Sequence, residues 1–181
     1  MTFRSDNLEL VSAAGNGDGI FVWDLKTQSI KHKINKDKKF NGFSFKVLWP
    51  IIYVPNTSQL LVSNDDGYFY WDTNTLIKSK ADFIEYNDVA FRSDGLYIAF
   101  ITVHKENDSI LKVIEIWKLS DHTLQNTINL NKYPAIYHLG ALSSYASIAY
   151  HPNGQHIAVT IGRISFIFEL NSGELVQKFT S

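Results

Sequence analysis

One short phrase is written four times in this chain. Phe21-Val22-Trp23-Asp24-Leu25 recurs as Tyr68-Phe69-Tyr70-Trp71-Asp72 and as Ile114-Glu115-Ile116-Trp117-Lys118-Leu119. A worn copy, Phe166-Ile167-Phe168-Glu169-Leu170, lacks the tryptophan. The copies lie about 50 residues apart, a spacing at which repeat architectures reuse one supersecondary unit that cannot bury its apolar face alone. Any fold for this chain must therefore stack four similar units.

The material between the copies is also in phase. Phe3-Arg4-Ser5-Asp6-Asn7-Leu8-Glu9-Leu10 aligns with Phe91-Arg92-Ser93-Asp94-Gly95-Leu96-Tyr97-Ile98 and with Tyr150-His151-Pro152-Asn153-Gly154-Gln155-His156-Ile157; Val54-Pro55-Asn56-Thr57-Ser58-Gln59-Leu60-Leu61 fills the same slot. Each is a strand end, a tight polar turn and a new apolar strand. The second strands are predicted from Leu10 to Ala14, Leu60 to Ser63, Tyr97 to Thr102 and His156 to Ile161. The Trp-containing phrases are the third strands. Segments such as Ser29 to Ile34 and Glu174 to Phe179 are the fourth. Alternating or short-block hydrophobicity with no helical period predicts an all-β chain of four-stranded antiparallel blades, a β-propeller architecture. The blades are expected at about 1–34, 43–80, 82–130 and 136–179, in one domain.

Composition narrows what such a fold can do. With 45% hydrophobic and 19% charged residues, the 181-residue chain can build a core. Its 12 Phe, 9 Tyr and 4 Trp suit pleated, half-buried surfaces. A formal charge of −1 supplies no global field for nucleic acid or anionic membrane. The absence of cysteine removes disulfides, thiolate metal sites and cysteine nucleophiles, and fits a reducing compartment. No secretory pattern opens the sequence and no window approaches 18 consecutive apolar residues. A cytoplasmic or nuclear location is expected.

These residues resemble WD40 repeats. That family pairs a Phe-Ser-Pro-Asp-Gly-like turn with an Asp-Gly turn, a Trp-Asp closing the third strand and a Thr-Gly-like turn. Here they stand as Phe91-Arg92-Ser93-Asp94-Gly95, Asp66-Gly67, Trp71-Asp72 and Ser172-Gly173. The resemblance covers nearly the whole chain. It implies a buried network joining a histidine, the turn aspartate and the tryptophan. Asp18 and Asp66 match the aspartate, but Gly140 is followed by Ala141, Gly42 by Phe43, and Ala81-Asp82 fills the third slot. The network is therefore not expected in the family's form, and packing between aromatics should replace it. Propellers of this family usually have more blades. The four units are thus read as part of a larger ring, with a homodimer or an unusually small ring as the other solutions to an exposed blade face.

No catalytic constellation emerges. Gly15-Asn16-Gly17-Asp18-Gly19 lacks the Lys-Ser/Thr ending of a P-loop and leads into a strand, so it reads as a hairpin turn. Asn64-Asp65-Asp66-Gly67 lacks the alternating ligands and distal Glu of a calcium loop. His32, His104, His122, His138, His151 and His156 form no metal or protease motif. No metal or cofactor is expected. Among the innermost strands only Asp88 is a conspicuous titratable group, which weighs against an enzyme or small-ligand binder using the central channel.

What remains points to partners. Lys31-His32-Lys33-Ile34-Asn35-Lys36-Asp37-Lys38-Lys39 precedes Phe40, and reads either as a guarded sheet edge or as a patch for an acidic partner or polyanion. The segment from Asn129 to Ser147 carries Tyr133, Tyr137 and His138, and Val103 to Leu111 reads as an enlarged polar turn with His104 and Lys105. The expected function is a non-catalytic scaffold for a protein or peptide partner. Lys36, Lys38, Lys39, Phe40, His104, Lys105, Tyr133, Tyr137 and His138 are the candidate contact residues, and nucleic acid is not an expected partner.

Overall fold

Every repeat folds as the same four-stranded antiparallel sheet, with strands in chain order. The computed structural model describes residues 1–14, 19–34, 51–64, 67–75, 78–80, 88–106, 109–133 and 146–180. Blade 1 comprises β1 (Thr2–Phe3), β2 (Glu9–Ala14), β3 (Gly19–Asp24) and β4 (Ser29–Ile34). Blade 2 comprises β5 (Ile51–Tyr53), β6 (Gln59–Asn64), β7 (Gly67–Asp72) and β8 (Lys78–Lys80). Blade 3 comprises β9 (Asp88–Phe91), β10 (Tyr97–Glu106), β11 (Ser109–Lys118) and β12 (Thr123–Asn129). Blade 4 comprises β13 (Ala146–Tyr150), β14 (His156–Ile161), β15 (Ile164–Glu169) and β16 (Leu175–Thr180). This is the all-β, propeller-type architecture that the repeats predict. The one helical turn among the described residues is a 3-10 turn, Leu130–Lys132. No helix there is long and apolar enough to cross a membrane.

The chain divides into two compact units, Met1–Ile84 and Glu85–Ser181, each holding two blades and its own core. In the first unit, Val11, Ile20 and Val22 of blade 1, with Ala13, pack on Ile51, Tyr53, Leu60, Val62, Phe69 and Trp71 of blade 2. In the second, Ala99, Ile101, Ile114 and Ile116 of blade 3 pack on Ile148, Ile157, Val159, Phe166 and Phe168 of blade 4. The two cores occupy matching slots. The tryptophan face of the later blade is covered by the small and branched apolar residues on the preceding blade's opposite face.

Local chemistry repeats with equal regularity. Asp24 and Asp72 end the third strands because their Oδ1 atoms accept the backbone N–H groups of Lys26 and Thr27, and of Asn74 and Thr75. Phe21, Phe69 and Phe166 each stand opposite a lysine on the outer strand (Lys33, Lys80 and Lys178), and blade 3 replaces this pair with Glu115 and Thr127. In blades 1, 3 and 4 a register shift falls at one point of the repeat, immediately before Trp23, Trp117 and Phe168.

The inner turns take two forms for a steric reason. Asn7, Gly95 and Gly154 sit at positive φ in three of them, whereas blade 2 places the positive φ at Asn56 instead. Thr57 occupies the slot of Gly95 and Gly154; its branched Cβ resists that conformation, so Pro55-Asn56 forms a type II-like turn. A second difference from expectation lies in blade 3. Val103 to Leu111 is not an enlarged turn: β10 and β11 stay paired to Glu106 and Ser109. The alternation continues through this polar stretch, and the ladder continues with it.

Candidate functional site

The polar joint of the first unit is built around one buried carboxylate. Glu9 stands at the start of β2, only 3% exposed. Its Oε1 accepts from Lys31 Nζ of β4 at 2.6 Å and pairs with Arg4 Nη1 at 2.9 Å. Its Oε2 accepts from the Tyr53 hydroxyl of β5 at 2.8 Å and the Thr73 hydroxyl at 3.2 Å. Lys31, Arg4 and Tyr53 donate to this carboxylate, and the Thr73 hydroxyl, whose one proton also faces the Ser58 carbonyl at 3.0 Å, closes over it. Burial alone would raise the Glu9 pKa, but the bonds from Lys31 and Tyr53 and the charge of Arg4 outweigh it and leave the carboxyl below its usual range. The same burial, with Glu9 beside it, pushes the Tyr53 phenol up. Lys31 Nζ also reaches Asn74 Oδ1 at 3.1 Å, and Asn56 N–H donates to Ser5 Oγ at 3.0 Å, so two turns of blade 1 and blade 2 are stitched together.

The second unit rewrites this joint in aromatic residues. Arg92 holds Asp94 as Arg4 holds Asp6, through Nη2–Oδ2 contacts of 2.6 and 2.7 Å. Where Glu9 stood there is Tyr97, and the Arg92 guanidinium lies 3.8 Å from its ring centroid, a cation–π contact. Tyr150 takes the place of Tyr53. Its hydroxyl is buried with no hydrogen-bond partner among the described residues, and burial pushes its pKa up. Asp88 is engaged structurally: its Oδ2 accepts the Ile148 N–H at 2.9 Å, linking the inner strands of blades 3 and 4.

The tryptophans differ blade by blade. Trp23 Nε1 donates to Ser12 Oγ at 3.0 Å across β2 and β3. The position of Ser12 becomes Val62 in blade 2, and buried Trp71 Nε1 has no partner among the described residues. In blade 3 that position is Phe100, and Trp117 turns instead to Glu115 Oε2 of its own strand at 2.9 Å. Blade 4 dispenses with both, pairing Phe168 with Ile157 beside Val159. Among the described tryptophans, then, the indole of blade 1 bonds to a serine hydroxyl and that of blade 3 to a carboxylate of its own strand.

The sequence candidates fall in several places. Lys36, Lys38, Lys39, Phe40, Tyr137 and His138 lie outside the described residues, as do Asp18 and Asp66. Lys105 is on β10, opposite Ile110. His104 is exposed; its Nε2 lies 2.8 Å from Glu115 Oε1 and 3.2 Å from Thr102 Oγ1. Both contacts use one ring nitrogen, so this carboxylate–imidazole–hydroxyl group is not a relay, which needs the two nitrogens separately. Tyr133 caps the 3-10 turn and packs its ring against Phe166 and Phe168, with centroids 6.0 and 5.4 Å away. Among the described residues no group of acidic, histidine or cysteine side chains could hold a metal.

Two grooves were missed at the level of sequence. One, of about 490 Å³, runs along Arg4, Ser5, Asp6, Asn56, Thr57, Ser58 and Asn74 of the first unit. Its counterpart in the second, about 450 Å³, is walled by Arg92, Tyr97, Ile116, Gly154 and Leu170 and by four carboxamides, Gln125, Asn126, Gln155 and Asn171. These residues belong to turns and outer strands that singly read as ordinary surface; only the pairing of two blades brings them together. The repeat phase of Arg4 and Arg92 was the available signal.

No family model matches this chain, and no curated protein matches it. Among solved structures it is similar to a chain of Kuenenia stuttgartiensis hydrazine synthase, with a TM-score of 0.66 and 14% identity over 99% of this chain and 53% of the other. The chain thus spans about half the length of that protein. The likeness is one of fold.

Proposed function

We propose that this chain is a WD40-like propeller segment and a non-catalytic scaffold, receiving an extended peptide of a partner protein in the groove of its second unit. The observation that carries the reading is the wall of Gln125, Asn126, Gln155 and Asn171. Carboxamides offer both donors and acceptors, the complement of a peptide backbone, whereas a catalytic cleft needs titratable groups with free lone pairs or protons. Asn126 already performs such a contact, donating from Nδ2 to the Leu170 carbonyl. Glu9, Asp88 and Glu115, the acidic groups nearest to chemistry, are all bonded internally. The cysteine-free sequence makes cytoplasm or nucleus the compartment of choice.

Selection of a displayed random-peptide library on the purified chain tests this reading. Selected peptides should bind with micromolar affinity and lose about tenfold on Gln125→Ala with Gln155→Ala, as expected for two lost polar contacts. Binding untouched by these substitutions would remove the groove. Turnover above blank on a general hydrolase panel, abolished by Asp88→Asn, would remove the non-catalytic role.

A further inference from the structure

The two units build the same pair of donors, and only the first supplies their acceptor. There Arg4 is shared between two carboxylates: Nε and Nη2 hold Asp6, and Nη1 lies 2.9 Å from Glu9 Oε1. The Tyr53 hydroxyl donates to the other oxygen of Glu9. In the second unit, Nε and Nη2 of Arg92 hold Asp94 in the same way. Tyr97 stands where Glu9 stood, so Arg92 Nη1 has no acceptor among the described residues. Neither has the buried hydroxyl of Tyr150, the counterpart of Tyr53.

The group missing from the second unit is a carboxylate. Arg4 shows that an aspartate on Nε and Nη2 leaves a guanidinium able to take a second one, since its five donors point along two edges. The Tyr97 ring satisfies the face of the Arg92 cation, 3.8 Å from the centroid, and leaves that second edge open. The slot is also accessible. Glu9 is only 3% exposed, whereas Tyr97 is half-buried and lines the groove of about 450 Å³ together with Arg92. The Arg92 side chain is 25% exposed against 12% for Arg4.

We infer that Arg92 recognises an acidic side chain, aspartate or glutamate, of a peptide lying in this groove. The inference rests on the peptide-groove reading above and adds the residue class that the peptide must carry. Arg92 Nη1 takes the incoming carboxylate as Arg4 Nη1 takes Glu9, while Gln125, Asn126, Gln155 and Asn171 serve the peptide backbone. What the first unit closes with a residue of its own, the second leaves for a partner to close.

Peptides selected on the chain are resynthesised with each Asp changed to Asn and each Glu to Gln, and with the C-terminus free or amidated. Their affinities are measured by titration calorimetry at low and at moderate sodium chloride. One acidic position should be common to the selected peptides. Its amide should bind about tenfold more weakly, a difference that shrinks as salt rises. On the protein side, Tyr97→Glu restores the carboxylate of blade 1 and should reduce the tenfold preference to about unity. Tyr97→Gln, close in size but uncharged, should keep it. The peptide-side comparison needs no altered protein, so it decides the matter even if a variant fails to fold.

Peptides that weaken on Gln125→Ala with Gln155→Ala yet bind equally well as acid and as amide would overturn this inference and leave the groove reading standing. So would a preference that follows only the free C-terminal carboxylate, or one that Tyr97→Glu and Tyr97→Gln change alike. Peptides indifferent to the two glutamine substitutions would remove the groove itself, and the inference with it.

Discussion

The hydroxyl of Tyr53 donates to Glu9 Oε2 at 2.8 Å, and this bond ties the inner strand of blade 2 to the second strand of blade 1. Around it stand Arg4, Lys31 and Thr73, so the carboxylate is buried and paired with two cations at once. A joint of this kind is destabilised far more by losing one member than it would be by being replaced whole.

Glu9→Gln should therefore lower stability by about 3 kcal/mol at neutral pH, since it leaves Arg4 facing a neutral amide in a largely buried site. The effect depends on pH with a definite sign. The folded-state pKa of Glu9 lies below its ordinary value of 4.5, so its contribution is complete above that pH and is lost as pH falls through the lowered value. Urea denaturation at pH 7 and at successively lower pH should show the gap between wild type and Glu9→Gln closing on acidification. A gap that stays constant or widens would contradict this.

The two equivalent tyrosines should respond differently to loss of the hydroxyl. Tyr53→Phe removes a bond to a charged acceptor and should cost about 2 kcal/mol. Tyr150→Phe removes a buried hydroxyl without a partner among the described residues, and should be neutral or stabilising by up to about 1 kcal/mol. Thermal melts of the two single variants decide the matter, and equal losses would refute the contrast.

Ser12→Ala tests the bond from the Trp23 indole to the Ser12 hydroxyl. It should cost about 1 kcal/mol, read as a lower urea midpoint with an unchanged m-value. A change in m would mean that more than one bond had been lost.

Gly154→Ala probes the turn of blade 4. At φ +68 a Cβ is strained, and it would also stand 3.3 Å from Arg92 Cδ. A loss of about 1–2 kcal/mol is expected in equilibrium unfolding, while Asn7→Gly, at φ 58, should gain a few tenths.

Most of the architecture was legible because it depends on signals that repeat. Trp23, Trp71 and Trp117 mark third strands, Asp24 and Asp72 mark their ends, and the Arg4 and Arg92 turns mark the hairpins before them. Two of the departures have local causes. The hairpin of blade 3 stays paired past Val103 because polar residues such as His104 alternate as well in a ladder as in a turn. The turn of blade 2 shifts by one residue because Thr57 is branched. The joints and grooves were not legible, since they depend on contacts between blades. Nothing in the sequence around Glu9 announces that residues as far along as Tyr53 and Thr73 will close over it, and Gln125 and Asn171 acquire a shared purpose only when blades 3 and 4 stack.

The two joints also differ in what the solvent can do to them. Dissolved ions screen the attraction between Lys31, which is partly exposed, and Glu9, while a strongly hydrated salt such as sulfate strengthens contacts like those among Tyr97, Tyr150 and Phe168. Added sodium chloride is therefore expected to weaken the joint at Glu9 more than the apolar contacts of Tyr97, Tyr150 and Phe168, whereas sulfate favours the buried apolar surface of both cores.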